Sequence, residues 1–258
     1  MKRLSSLFFL SLLISMNTSA DERELAVPPY EVIEGQSCDS ADFYGRNEVR
    51  VPIKYEDERE KVPKVGECDY SNLKDFGVYK DVDRLELWGY AKTVNLATLP
   101  KHLKIKSLEL RGKMDHVEAV GEIKGLEYLT LTMLEGGKKI SNFGDLDHLK
   151  YLSIDHKKEG DPKQLAGLAR MKSLRLLNLD MNGLTEIPLS SPMKSLKSLY
   201  IGRVQSFDLS FLKFMPNLRK ISLQDHVKYT RTEFLCSHKK LKSNPENADV
   251  FKRLCTRN

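Results

Sequence analysis

Long apolar runs are missing from this chain. The longest, Leu4 to Ile14, has eleven mostly apolar residues, against the roughly twenty needed to span hydrocarbon, so no transmembrane segment is expected. A dominant charge is missing too. Lys plus Arg number 42 against 36 Asp plus Glu, a formal +6. That is too mild for a nucleic-acid surface, which needs a concentrated basic stripe, and nucleic acid is not an expected partner. No G-x-S-x-G, G-x-G-x-x-G, phosphate loop or H-E-x-x-H occurs, so the familiar hydrolase, dinucleotide, nucleotide and metalloprotease signatures are absent. Gly136-Gly137-Lys138 lacks phosphate-loop spacing and reads as a turn. With no C-x-x-C pair and no series of close His partners, neither a metal nor a cofactor is expected. Four Asp-His dipeptides, at Asp115, Asp147, Asp155 and Asp225, fall on different repeats and read as turn residues rather than as a catalytic or metal site. Past Asn17-Thr18-Ser19 there is no N-x-Ser/Thr sequon, which leans toward a bacterial envelope or secreted protein.

What is present begins with an export pattern. Lys2 and Arg3 give a positive start, Leu4 to Ile14 the apolar run, and Thr18-Ser19-Ala20 small residues before Asp21. Residues 1–20 are therefore expected to be a secretory signal, and the protein to be secreted or periplasmic. Without Lys2 and Arg3 the net charge is about +4. At 40% hydrophobic and 30% charged, the remainder has soluble, foldable composition.

One phrase then repeats seven times: apolar, two others, apolar, one other, apolar. The copies are Val82-Leu85-Leu87, Ile105-Leu108-Leu110, Leu126-Leu129-Leu131, Leu149-Leu152-Ile154, Leu174-Leu177-Leu179, Leu196-Leu199-Ile201 and Leu218-Ile221-Leu223. Their middle residues are 23, 21, 23, 25, 22 and 22 positions apart. Such a period predicts a solenoid. Each phrase supplies one short strand that cannot bury its apolar side alone and does so by stacking in parallel on its neighbours. Between strands, Phe143-Leu146-Leu149, Leu165-Leu168-Met171 and Leu209-Leu212-Met215 recur every three residues and predict short helical returns. The 25-residue gap should hold the best helix, with Asp161 as N-cap, Pro162 at N1 and Gln164 as capping-box partner.

The stack constrains the cysteines. Cys38 and Cys68 precede the repeats; Cys236 and Cys255 follow them. Seven strands at about 4.8 Å separate the two ends by roughly 29 Å, and a disulfide needs Cα atoms within about 7 Å. The expected bonds are Cys38–Cys68 and Cys236–Cys255; the alternative is four buried thiols.

These residues resemble the leucine-rich repeat family, in particular its exported, bacterial-type members. The pattern L-x-x-L-x-L-x-x-N-x-L is complete once, at Leu174, Leu177, Leu179, Asn182 and Leu184; elsewhere Tyr90, Lys113, Leu134, Lys157, Val204 and His226 replace the Asn. The resemblance implies an α/β leucine-rich repeat solenoid of about seven repeats with a parallel sheet on the concave face, an Asn that ladders backbone groups, and terminal caps. It also implies protein recognition. The expected organisation is a leader at 21–37, an N-terminal cap at 38–80, repeats at 81–225 and a helical cap at 226–258. Within the first cap, 48–55 alternates as a strand, with Pro52 suiting an edge. In the second, Thr230-Arg231-Thr232-Glu233 is expected to cap a helix carrying Phe234, Leu235 and Leu241, and Asn244-Pro245-Glu246 to start another carrying Val250, Phe251 and Leu254.

Strand alternation points the residues between the leucines outward. The rows are Arg84-Glu86-Trp88, Ser107-Glu109-Arg111, Tyr128-Thr130-Thr132, Tyr151-Ser153-Asp155, Leu176-Asn178-Asp180, Ser198-Tyr200-Gly202 and Lys220-Ser222-Gln224. Aromatic and Arg side chains are enriched where proteins bind partners. Trp88, Arg111, Tyr128, Tyr151, Asp155 and Tyr200 are the candidate contacts for a protein or peptide ligand; the plainer alternative is that these aromatics cover the sheet as cross-strand pairs. An unfamiliar enzyme site on this face, or a structural envelope protein whose basic C-terminal end (Lys239, Lys240, Lys242, Arg253, Arg257) meets an anionic surface, are the rival readings.

Overall fold

The computed structural model describes residues 47–50, 84–99, 101, 104–132, 139–156 and 160–256. The signal and leader segments, Cys38, Cys68, residues 51–55 and Gly136-Gly137-Lys138 lie outside them, and Trp88 is placed by its backbone alone.

Each repeated phrase makes one strand. The strands are β1 (Asn47–Arg50), β2 (Arg84–Asn95), β3 (Ser107–Asp115), β4 (Tyr128–Thr132), β5 (Tyr151–His156), β6 (Leu176–Met181), β7 (Ser198–Gly202), β8 (Ser206–Asp208), β9 (Lys220–Leu223) and β10 (Lys228–Thr230). One sheet runs β1-β2-β3-β4-β5-β6-β7-β9. Its last seven strands are parallel neighbours in sequence order, and β1 joins antiparallel at the edge. Leu108, Leu129 and Leu152 stand opposite one another in register and are all 0% exposed. That observation decides for a stacked core. A strand slipped by one residue would have turned all three to water.

The returns are helical but tighter than α. They are 3-10 turns, such as Val117–Glu122, Pro162–Leu165, Leu168–Arg170 and Ser210–Phe214, and the spacing of three in the sequence is that helix's own period. The 25-residue gap does not hold the best helix. The Asp161 carboxylate accepts from the Lys163 N–H at 2.8 Å, yet the turn ends at Leu165. Gln164 closes no capping box; its buried Oε1 has no hydrogen-bond partner. The chain breaks because Gly167 adopts φ 103°, and a Cβ there would lie 3.0 Å from the Ser141 nitrogen, where Ser141 donates to the Ala166 carbonyl at 2.8 Å. Contact with the preceding coil overrides the local helix signal.

Asn182 also departs from its expected role. Its side chain is exposed while Met181 is 0% exposed, so Met181 fills the interior at that turn. The Asn182 backbone links the coils instead, donating to His156 at 3.2 Å and accepting from Gly160 at 2.6 Å.

Beyond β9 the chain makes one more strand, β10, parallel to β8, inside the segment expected to be a helical cap. Then come α1 (Glu233–Cys236), α2 (Lys239–Lys242) and α3 (Ala248–Cys255). Thr232 makes no side-chain cap, whereas Asn244 accepts from the Glu246 N–H at 3.1 Å. Cys236 and Cys255 are disulfide-bonded across a separation of 19 residues. This end covers the edge that β9 would otherwise expose, a row of unpaired backbone groups. Asn247, 0% exposed, accepts from the Ile221 N–H at 3.1 Å and donates to the Arg219 and Leu241 carbonyls at 2.8 Å each. At the other end of β9, Arg253 donates to the Leu223 carbonyl at 2.9 Å and pairs with Asp225.

Candidate functional site

Register sorts the positions between the inward leucines into three rows. At the strand starts lie Ser107, Tyr128, Tyr151, Leu176, Ser198 and Lys220; along the middle lie Glu109, Thr130, Ser153, Asn178, Tyr200 and Ser222; at the strand ends lie Trp88, Arg111, Thr132, Asp155, Asp180 and Gly202. The six candidate contacts do not form one patch. Tyr128 and Tyr151 are adjacent, half-buried and tilted by 39° with ring centroids 6.0 Å apart. Arg111 is held by its own strand, its Nε 2.5 Å from Oε1 of Glu109, and Glu109 is only 7% exposed. Trp88 stands opposite Arg111 in register.

Asp155 and Tyr200 belong to a third group, and its hub is a residue the strand pattern passes over. Arg203 follows β7 in the left-handed conformation, φ 52°. Its side chain reaches back across two coils: Nε donates to Asp180 Oδ1 at 2.6 Å, and Nη2 donates to the Asp180 carbonyl at 2.9 Å and to Asp155 Oδ1. The path crosses Gly202. A Cβ there would lie 2.7 Å from Asp180 Oδ1 and 2.9 Å from the Tyr200 ring and hydroxyl, so a larger residue would push these side-chain ends aside. Burial alone would lower the Arg203 pKa, but hydrogen bonds and charge from Asp180 and Asp155 outweigh it and raise it. Gln224 closes the group. Its Oε1 accepts from the Arg203 N–H at 2.8 Å, and its carbonyl accepts from the Tyr229 hydroxyl at 3.1 Å.

The two tyrosines of this group are held protonated. Burial, then the Asp180 charge, raises Tyr200 against the opposing pull of Gln224 and Arg203. Burial pushes Tyr229 up to about 12. Both present neutral hydroxyls, fit to donate hydrogen bonds. The Asp-His dipeptides do not converge: Asp147 faces Lys172 at 3.4 Å, Asp155 faces Arg203, Asp225 faces Arg253, and His116 faces Glu118 at 3.1 Å. Among the described residues no three His, Cys, Asp or Glu side chains gather as a metal site, and no helix is long and apolar enough to cross a membrane.

Arg203 and Tyr229 have no place in the strand alternation, because Arg203 follows its strand and Tyr229 sits on β10; Gln224 is expected on the outward row Lys220-Ser222-Gln224, and it joins the group from just past β9. The available signal was the Gly202-Arg203 pair beside two aspartates at the same repeat position, Asp155 and Asp180.

Stacked parallel strands with short helical returns define an α/β leucine-rich repeat solenoid. No protein-family model matches the chain, and no curated protein matches it. Among solved structures it is similar to an internalin (inlF) from Listeria monocytogenes str. 4b F2365, at 16% identity and a TM-score of 0.38 over 54% of this chain. The match spans about half of that protein, 47% of its chain.

Proposed function

We propose that the protein is a non-catalytic binding module of the cell envelope or secreted space that recognises a protein or peptide through the open face of the sheet. The observation that carries this reading is the Tyr128–Tyr151 pair, two partly exposed rings fixed on adjacent strands. Tyrosine offers a large amphipathic contact area. Held on a rigid sheet, the pair loses little conformational entropy when a partner docks. Arg111 and the Arg203 group lie on the strand-end side of the pair and supply polar contacts already in place, as hydrogen-bonded rims do around a hydrophobic centre.

The Asp155–Asp180–Arg203–Tyr200 group is the convergence of ionisable residues that an enzyme reading would use. Its geometry favours binding. The guanidinium engages both carboxylates, and Tyr200 is held toward its protonated form, so the tyrosine does not offer a ready base.

The test is affinity capture from envelope and secreted fractions with the full chain and with Tyr128→Ala/Tyr151→Ala. A partner retained by the first and lost by the second, at matched thermal unfolding, supports the reading. Equal retention by both overturns it.

A further inference from the structure

The turn that follows β6 carries a reactive pair that the binding face does not use. Asn182-Gly183 is the one Asn-Gly pair in the chain. The Leu184 N–H donates to the Met181 carbonyl at 3.3 Å and closes a tight turn, with Gly183 at φ 75°, a conformation glycine adopts at no steric cost. Asn182 is exposed. Among the described residues its side-chain amide has no hydrogen-bond partner, and neither has the Gly183 N–H. The other asparagines with placed side chains are held. Asn95 and Asn142 accept backbone N–H groups at 3.0 and 2.9 Å. Asn178 donates to the Ser153 hydroxyl at 3.1 Å and Asn217 to the Lys194 carbonyl at 2.7 Å. Asn244 and Asn247 both donate to the Arg219 carbonyl. Leucine, phenylalanine, alanine or proline follows each of these six. A side chain there crowds attack by the next backbone nitrogen, and proline has no N–H to make it.

We infer that Asn182 is a site of spontaneous deamidation and isoaspartate formation. The Gly183 nitrogen gives its proton to solvent base and attacks Cγ of Asn182. A C–N bond forms, the Cγ–Nδ2 bond breaks, and Nδ2 takes up a proton and leaves as ammonia. Water then opens the resulting succinimide ring. The net change consumes one water and releases one ammonia, with nothing oxidised or reduced. Opening at Cγ gives aspartate. Opening at the main-chain carbon gives isoaspartate, whose backbone runs through Cβ and Cγ, one atom longer, and leaves the former carbonyl as a free carboxylate. That carbonyl is the acceptor for the Gly160 N–H at 2.6 Å, beside the Asn182 N–H that donates to His156 at 3.2 Å. Isoaspartate therefore disrupts a link between coils, two residues past the Asp180 that Arg203 holds.

The test incubates the full chain in mildly alkaline buffer, folded and separately unfolded in urea, and follows the tryptic peptide Leu176–Lys194. In the folded chain Asn182 is expected to convert from amide to acid by mass before any other described asparagine. Protein isoaspartate methyltransferase should label the same peptide. Asn182→Gln keeps an exposed amide but closes a ring far less readily, and should abolish the label. Hydrogen exchange at Gly160 should be faster on the order of tenfold in the isoaspartyl form than in fresh Asn182→Asp, which adds the charge without lengthening the chain. The inference is overturned if another described asparagine converts first, if the label persists in Asn182→Gln, or if the folded chain stays unlabelled where the urea-unfolded chain is labelled. Equal exchange at Gly160 in the isoaspartyl form and in Asn182→Asp would overturn the disrupted link.

Discussion

The two rims of the sheet are held by different means. At the strand starts the backbone links coil to coil, the carbonyls from Lys106 to Lys197 each serving two N–H donors. At the strand ends, side chains add to the backbone links that Asn182 makes. Arg203 spans from its own coil to Asp180 and Asp155, and Gln224 ties it to Tyr229. Where main chain satisfies main chain, the residue type is free to vary with charge. Where side chains do the joining, residue identity matters, and a Cβ at Gly202 would displace the Asp180 and Tyr200 side-chain ends. The first rim also ends differently from how it runs. After Arg219 there is no further coil, and its carbonyl takes the side-chain amides of Asn244, at 2.9 Å, and Asn247, at 2.8 Å. Two asparagines replace the two N–H groups of an absent repeat.

The strongest way to break that comparison is at this terminus. Asn247→Leu keeps the branched shape but strips hydrogen bonds from Ile221, Leu241 and, in part, Arg219. Buried backbone groups left unpaired cost roughly 1–3 kcal/mol each, so a loss of about 4 kcal/mol and on the order of 10 °C in Tm is expected. Hydrogen exchange should rise first at Ile221, at the strand-start rim. A melt unchanged within about 1 °C would show that the asparagine is not the terminal rung.

Removing the crosslink with Cys236→Ser/Cys255→Ser acts on both rims at once, because α3 and the turn before it touch both through Asn247 and Arg253. The loop of this size predicts about 3 kcal/mol, read by calorimetry. Protection should fall at Ile221 and at Leu223 together; a fall at one alone would mean that the helix does not couple the rims.

Arg203→Ala tests the strand-end rim by itself. It leaves Asp155 and Asp180 facing each other without their shared cation. The group is partly exposed, so solvent screens the effect, and about 1–2 kcal/mol is expected from denaturant unfolding. The sharper readout is functional: partner capture should weaken by more than this small loss of stability explains, and unchanged capture would remove the Arg203 group from the proposed binding face.

The sheet was legible because two periods coincide, two residues within a strand and about 22 between strands. Together they place Leu108, Leu129 and Leu152 before any coordinates exist. The outward rows followed from the same alternation, and with them Tyr128 beside Tyr151. Arg203 was not legible, since its role depends on a left-handed turn and on reach over Gly202, neither of which has a periodic signature. Asn247 was hidden for a related reason: it mimics a repeat without belonging to one. The strand-start rim was readable but unread. Lys106, Lys150, Arg175, Lys197 and Arg219 each follow the first apolar residue of a phrase, a position outside the strand that the alternation argument never visits. The 3-10 returns were visible as spacing of three, but the end of the turn at Leu165 was not, because contact with Ser141 on the neighbouring coil sets it.

The smallest effect expected is at Tyr229, and it concerns pH. Its hydroxyl donates to the Gln224 carbonyl, and burial raises its pKa from 10.0 to about 12. The folded state therefore holds the proton more tightly than the unfolded chain. The resulting stabilisation is fully present below about pH 10 and is lost as pH climbs through about 12. Tyr229→Phe should cost about 1 kcal/mol at neutral pH, the worth of one hydrogen bond. Above pH 10 the variant should lose stability less steeply than the parent, so that the two unfolding curves converge in alkaline urea titrations. Tyr200, raised in the same direction, contributes a residual slope that Tyr229→Phe does not remove. Parallel curves across pH 10–12 would mean that Tyr229 ionises alike in both states, and that the strand-end rim is held by Arg203 without help from the tyrosine behind it.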